Sequence, residues 1–349
     1  MPHIAIIGAG PAGLTAAWRL QSIDADVTVF EKSRGYGGRA ATRSHGNLRY
    51  DFGANYIPHP PKRIRTLITQ HLSTDRLATI PQPVWTFDAN GTRTPGDPES
   101  NAKPRWTYAH GINTLGKVLA AAADARVHRS TRIQRLAYAD ATWTLYSTDD
   151  ASFGPFDAVL LTPPAPQQVD ILSASTVSGQ ATDHVNACVR ALQQTPYNAQ
   201  FAYVYGLSHR LERPEPFHAL LNTDRQHPIA WLSIEDDKPG RVPRDQSIVC
   251  VQMSPSWTAP RVDDDPAQYT EAVHRQAAAL LDNPLDGVAW TDAHRWRYAA
   301  PTTATDPEPL DAAHTVGLYF AGDFRVGKGR VARAMDTGWT QADRIAAQL

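Results

Sequence analysis

Residues 1–40 read MPHIAIIGAGPAGLTAAWRLQSIDADVTVFEKSRGYGGRA, and the role of the glycines at their centre decides the fold. His3 to Ile7 is a short apolar, β-branched run of the kind a fully buried parallel strand needs. Gly8, Gly10 and Gly13 follow as G-x-G-x-x-G, and LTAAWRL after them has helical spacing. DVTVFE supplies a second strand ending in Glu31, 21 residues after Gly10, where a carboxylate can accept hydrogen bonds from a ribose hydroxyl pair. Gly8 permits the tight turn, Gly10 lets the backbone approach a pyrophosphate, and Gly13 lets helix and strand pack closely. The helix start offers free N–H groups and a partial positive charge to phosphates. A glycine turn alone is a weak signal, but strand, glycines, helix, strand and acid in register predict a dinucleotide cradle.

The bulk properties narrow what the cradle can serve. A chain of 349 residues suggests about two domains, and 42% hydrophobic residues support a core of ordinary size. The net charge of −1 forces no basic face, so neither nucleic acid nor anionic membrane is an expected partner. Cys188 and Cys250 form no CxxC, and the histidines show no ligand spacing; disulfides and a metal site are not expected. No apolar run is long enough to span a bilayer, and a glycine turn starting at Gly8 leaves no room for a signal peptide. The expectation is a cytoplasmic protein.

Two further segments bear on which dinucleotide is held. After Glu31 comes KSRGYGGRAATR and then YDFGANYI; Gly37-Gly38 can pass close beside a long ligand, with Arg39 bringing a cation to its pyrophosphate. At the far end, residues 317–349 read GLYFAGDFRVGKGRVARAMDTGWTQADRIAAQL: a strand ending in Gly322-Asp323, a glycine-rich turn, and a helix starting near Gly329. Together these segments resemble the flavin-containing amine oxidase superfamily. The resemblance implies FAD, held non-covalently, rather than NAD, on a GR2-type Rossmann-like domain. It assigns cofactor binding to Gly8, Gly10, Pro11, Ala12, Gly13, Glu31, Lys32, Gly38, Arg39, Ala54, Asn55, Tyr56, Ile133, Gly322, Asp323, Arg330 and Val331. Within that set Asp323 takes the ribityl hydroxyls, and Ile133 meets the adenine through its backbone. The helix after Gly329 directs its positive end at the pyrimidine side of the flavin, where negative charge builds on reduction.

The fold class expected is α/β: the Rossmann-like FAD-binding domain with an inserted α+β substrate domain on an antiparallel sheet. The FAD domain is expected to be discontinuous, over 1–62, 105–165 and 300–349. It includes strands in ARVHRSTRIQRLAY, TWTLYST and FDAVLLT, the last stopping at Pro163-Pro164. The substrate domain is expected over 63–104 and 166–299. Its first part reads as a hairpin with its tip at Asn90-Gly91. Its second holds a helix, VNACVRALQQ, and the alternating strands FAYVYGL, IAWLSIE and SIVCVQMS.

A narrower resemblance runs nearly the whole length, to renalase-like proteins. It rests on EKSRGYGGR, DFGANY, IAWLSIEDDKPGR, HRWRYAAP (294–301) and GDFRVGKGRVARAMDTG. It implies oxidation of 2- or 6-dihydro-NAD(P) by hydride transfer to flavin, with O2 as electron acceptor. Such chemistry needs a stacked ring at near-attack distance but no general base, so no side chain is assigned a catalytic role. Trp231, Trp296 and Tyr298 are candidate walls of the ring pocket, and Lys238, Arg241 and Arg297 candidates for the substrate phosphates; core packing and surface charge are the plain alternatives. The sequence departs from the family at Glu235, Asp236 and Asp237, where an Asn is usual, and at Ala332 and Met335, which replace Glu and Trp. These departures are expected in or near the substrate site. An amine oxidase or desaturase-like enzyme and a non-enzymatic flavin-binding protein remain as alternatives. The absence of any cysteine after Cys250 excludes a thioether to flavin near the C-terminus.

Overall fold

His3–Ile7 (β1) is the middle strand of a five-stranded sheet, and its side chains alternate between two cores. Ile4 and Ile6 bury into one apolar cluster, Ala5 and Ile7 into another on the opposite face. The computed structural model describes residues 1–349. β1 pairs in parallel with Asp26–Phe30 (β2) on one side and with Ala158–Leu161 (β4) on the other. Arg126–His128 (β3) flanks β2 and Leu318–Phe320 (β5) flanks β4, giving the order β3-β2-β1-β4-β5. A parallel sheet needs cover on both faces. One face is covered by the helix Pro11–Leu20 (α1) and by the C-terminal helix Val331–Gln348, packed so tightly on α1 that a Cβ on Gly338 would lie 2.0 Å from the Ala12 carbonyl oxygen.

A seven-stranded sheet forms the second unit. Its order is Val288–Pro301, Tyr197–Leu207, Ser247–Met253, Ile229–Ile234, Ala219–Asn222, Val84–Phe87 and Arg93–Pro95. Neighbours are antiparallel except Val84–Phe87, which lies parallel to Ala219–Asn222. The hairpin around Asn90-Gly91 is therefore an edge of the sheet. One sheet face packs on the helix Thr270–Leu281. The other meets Leu48, Tyr50 and Phe52 of the N-terminal unit through Val204, Ile248 and Cys250.

The packing corrects two expected boundaries. Residues 62–72, assigned to the substrate domain from residue 63 onward, bury Ile64, Leu67, Ile68 and Leu72 in the same cluster as Ile4 and Ile6. Residues 165–193 form helices at Ala165–Ser173 and Gln180–Gln193 that cover the other face of the parallel sheet. In VNACVRALQQ and the residues before it, Ala181, Val185, Cys188 and Leu192 make one apolar stripe facing Ile7 and Leu161 rather than the antiparallel sheet. The C-terminal helix begins at Val331, near Gly329 as expected, with Arg330 as the extended residue before it.

Candidate cofactor and substrate site

The glycine turn is held by steric necessity. Gly8 has φ +107°, and a Cβ there would meet the Thr162 hydroxyl at 2.4 Å. A Cβ on Gly13 would lie 2.1 Å from the Gly8 carbonyl oxygen. Around Gly10 there is only open space, which is the room a pyrophosphate requires. Glu31 is buried and its carboxylate is fixed at both oxygens, accepting from the Ala9 N–H at 2.8 Å and the Ser33 N–H at 2.7 Å. The second glycine pair docks on the first turn: the Gly37 N–H donates to the Ala9 carbonyl at 2.9 Å, and a Cβ on Gly38 would stand 3.5 Å from the Gly10 Cα.

Arg39 leaves this pair and crosses to the other end of the chain. Its Nη2 donates to Asp323 Oδ1 at 2.8 Å and its Nη1 to the Ala299 carbonyl at 3.1 Å. Asp323 follows Gly322, whose N–H donates to the Thr337 hydroxyl at 2.9 Å, so the strand end is tied to the C-terminal helix. Gly329, Arg330, Val331 and Ala334 bring the start of that helix to the same space.

Gly8, Gly10, Glu31, Gly38, Arg39, Gly322, Asp323 and the start of the C-terminal helix line one cavity of about 1130 Å³, above the roughly 300–1,000 Å³ usual for a single drug-sized ligand. Ile133, Gln134, Thr148 and Lys32 line it together with Gly8, Gly10, Pro11, Ala12, Gly38, Arg39, Gly322 and Asp323, and Ala54, Asn55 and Tyr56 line the end nearest the antiparallel sheet, where the Tyr56 ring lies 6.0 Å from that of Trp231. Gly13 is the one expected cofactor residue outside the lining, because it sits beneath the turn.

The antiparallel sheet roofs this last end. Leu221, Trp231, Gln252, Ala202 and His294 are successive cross-strand partners, a row running across five strands, with the pair Gln200 and Trp296 beside it. The Trp296 indole N–H donates to the Phe52 carbonyl at 2.9 Å and its ring stacks on Phe52 at 5.2 Å, so its plane is set. Gln252 donates to the Gly53 carbonyl at 2.7 Å, joining roof to floor. Tyr298 and Arg297 also line the cavity, Arg297 at the rim in an exposed pair with Asp263 at 2.9 Å.

Lys238 and Arg241 do not reach the cavity. Both are buried in an ion cluster: Lys238 Nζ lies 3.0 Å from Asp51 Oδ2 and 2.6 Å from Glu235 Oε1, and Arg241 Nη2 lies 2.7 Å from Asp51 Oδ2. Their charges are spent on two carboxylates, which corrects their expected role with substrate phosphates. Burial pushes the Asp51 carboxyl up, but Lys238 and Arg241 outweigh it and hold it at about 2; Glu235, where burial dominates, lies above the usual range. Of the departures at residues 235–237, Glu235 thus belongs to the junction between the two units, whereas Asp236 and Asp237 pair with Arg210 and Arg213 at 2.7 Å within the antiparallel-sheet unit. Ala332 and Met335 point into the core beneath the parallel sheet. None of the five lines the cavity.

Sequence reasoning missed Gln200 and Gln252, which carry no motif, and found in the histidines, His294 among them, no ligand spacing. His294 lines the cavity, and Arg43 Nη2 donates to its Nδ1 at 3.1 Å. Burial and the Arg43 charge lower its pKa to about 4, so the ring is neutral near pH 7.

Residues 6–70 match the model of the NAD(P)-binding Rossmann-like domain, and residues 99–346 match that of the flavin containing amine oxidoreductases. The chain belongs to the flavin-containing amine oxidoreductase family. As a member it is a flavin-dependent oxidoreductase. Mouse renalase is 23% identical over 324 residues, 88% of each chain. Protoporphyrinogen oxidase 2 of Arabidopsis thaliana is 35% identical over 66 residues, 19% of this chain and 13% of that one. Reduced UDP-galactopyranose mutase superposes with a TM-score of 0.77 at 13% identity, covering 100% of this chain and 94% of that one. Putrescine oxidase bound to putrescine gives 0.72 at 13%, covering 99% of both. These two likenesses describe the family's fold. No helix of the chain is long and apolar enough to cross a membrane.

Proposed function

We propose that this family member binds FAD non-covalently and oxidises 2- or 6-dihydro-NAD(P) to NAD(P)+, with O2 as the electron acceptor. The observation that carries the reading is the charge of the cavity wall. Lys32, Arg39, Arg132, Arg295, Arg297 and Arg330 line it against Glu31, Asp170 and Asp323, a positive surplus in a chain whose net charge is −1. With Arg297 paired to Asp263, the two charges of the FAD pyrophosphate balance the rest of that surplus. The loaded cavity then has no excess carboxylate to hold an ammonium substrate, and Arg295 and Arg297 are the cations a second, phosphate-bearing molecule would meet.

The residues suit FAD. The open space at Gly10 and the helix end at Val331 offer N–H groups to phosphate and to the flavin's pyrimidine edge, and Glu31 and Asp323 offer carboxylates to ribose and ribityl hydroxyls. Cys188 and Cys250 are buried and outside the cavity, which supports non-covalent retention. When bound, FAD takes up a hydride and passes the electron pair to O2. The net change is dihydro-NAD(P) + H+ + O2 giving NAD(P)+ + H2O2. The chain's own part is to stack and orient: the fixed plane of Trp296 and the Tyr298 wall confine a ring, and the neutral His294 adds no charge that would oppose the developing pyridinium. No proton leaves the ring as it becomes aromatic, so the lack of a poised base in the roof suits the reaction.

The test is anaerobic mixing of the purified protein with 2- and 6-dihydro-NAD(P), 4-dihydro-NAD(P)H and simple amines, followed by the visible flavin spectrum. Bleaching within seconds by the 2- or 6-isomers, with H2O2 on admitting air, is expected. Bleaching by amines alone would overturn the reading.

A further inference from the structure

The roof carries polar groups that neither the cofactor nor the hydride step employs. Gln252 and Gln200 lie near the centre of the sheet, between the indoles of Trp231 and Trp296. In each the amide nitrogen gives one of its two N–H bonds to a backbone carbonyl: Gln252 Nε2 to Gly53 at 2.7 Å, and Gln200 Nε2 to Met253 at 3.2 Å. A carbonyl can only accept, so these bonds fix which end of each side chain is nitrogen. Each residue lines the cavity and keeps an Oε1 with no partner in the chain, an acceptor free for a ligand. Register places the two residues diagonally on adjacent strands, Gln252 opposite Ala202, at the roughly 7–8 Å separation that long side chains bridge.

The third group is a donor. The Trp231 indole N–H is buried with no partner in the chain, on a residue only 9% exposed that lies in the cavity wall directly across from Gln252. Buried donors are nearly always paired, and one left open in a ligand wall calls for a ligand atom. Two acceptors and one donor around an aromatic-walled slot are the complement of one neutral group, a primary carboxamide. Its two N–H bonds meet the glutamine oxygens, and its carbonyl meets the indole N–H.

We infer that Gln200, Gln252 and Trp231 form a carboxamide-reading site, which orients a pyridine carboxamide in the roof. The inference rests on the proposed dihydronicotinamide reading for its substrate class, but it concerns ground-state recognition and is testable without turnover. An acid in place of the amide puts a carboxylate against two acceptor oxygens. A methyl ketone keeps the carbonyl but loses both donors.

The test is equilibrium binding of nicotinamide, 3-acetylpyridine and 3-picolylamine to the flavin-loaded protein, read by perturbation of the flavin spectrum and by the 15N–1H indole resonance of Trp231. Nicotinamide is expected to bind about tenfold tighter than 3-acetylpyridine. Both should move the Trp231 resonance. Gln200→Leu, which leaves the Gln252–Gly53 tie intact, is expected to narrow the preference about threefold and Gln252→Leu to narrow it further. Trp231→Phe should weaken both ligands alike. Equal affinity of the two ligands for the wild-type protein would overturn the inference, as would a preference unchanged in folded Gln200→Leu, or tighter binding of 3-picolylamine. A protein that prefers nicotinamide yet fails to oxidise either dihydropyridine would leave this site standing and sink the proposed reaction. The reverse result would separate them the other way.

Discussion

The Arg39 guanidinium donates to Asp323 at 2.8 Å and so joins segments 284 residues apart across the floor of the cavity. Asp323 has a side chain only 5% exposed, and Arg39 spends its other terminal nitrogen on the Ala299 carbonyl. The pair holds the first forty residues against the last thirty where the flavin is proposed to lie.

Asp323→Ala is expected to lower flavin affinity at least tenfold, because it removes a hydroxyl acceptor and leaves Arg39 without its counter-charge. Truncating one member of a buried charge pair costs about 2–5 kcal/mol. The ratio of visible to ultraviolet absorbance after gel filtration reads the result, and a ratio equal to wild type would contradict the role given to Asp323.

Gly10 and Gly13 separate fold from cofactor. A Cβ on Gly10 meets nothing within 4 Å, so Gly10→Ala is expected to unfold within about 0.5 kcal/mol of wild type while losing bound flavin. A Cβ on Gly13 would stand 2.1 Å from a backbone oxygen and 3.1 Å from the Ile6 side chain. Gly13→Ala is therefore expected to destabilise the chain by about 1–3 kcal/mol, as overpacking does. Urea unfolding beside flavin content distinguishes the two variants; similar behaviour of both would refute the distinction.

The N-terminal unit was legible in sequence because its constraints are local. Gly8, Gly13 and Glu31 lie within a few residues of the turn they serve, and the apolar run at β1 can belong only to a doubly covered strand. The domain boundaries were less legible, since the stripe Ala181, Val185, Cys188 and Leu192 specifies a helix without saying which sheet it covers. Lys238 and Arg241 were misread for a related reason. A cation in a loop looks solvent-facing until its partner, here Asp51 from a remote strand, is brought to it. Gln252 gave no signal at all, because its role follows from facing Gly53 across the cavity.

The cluster of Asp51, Glu235, Lys238 and Arg241 makes stability depend on pH in a signed way. Asp51, held at about 2, contributes stability above the ordinary carboxyl range and loses it as pH falls from about 4 towards 2, a span worth about 2 kcal/mol. Glu235 is shifted upward, so its contribution runs oppositely and its ionisation costs stability as pH rises through its raised pKa. Lys238→Met leaves two buried carboxylates facing Arg241 alone. It is expected to lose about 3–5 kcal/mol at pH 7 and to move acid unfolding to higher pH. Urea midpoints from pH 3 to 8 check both effects; a variant as stable as wild type would mean the cluster is not the junction it resembles.

Arg43 determines the proton of His294. An arginine can only donate, so its contact at 3.1 Å makes Nδ1 the acceptor and puts the ring proton on Nε2. His294 lines the cavity while Arg43 stands behind it. The guanidinium is itself anchored, giving two bonds to Asp292 at 2.8 and 2.9 Å and lying 4.4 Å over the Phe52 ring. With burial and Arg43 holding the pKa at about 4, His294 stays neutral across pH 6 to 9 and contributes no inflection to a rate profile there. Arg43→Leu removes one of three depressing causes, leaving burial and the Arg295 charge, and keeps Asp292, which raises the value. The His294 titration is expected to move up from about 4 but to stay below the ordinary histidine range, about 6.5, because burial still acts on it. Ring 15N shifts titrated in wild type and variant measure this directly: a wild-type ring protonating near 6.5, or carrying its proton on Nδ1, would show that Arg43 does not control it.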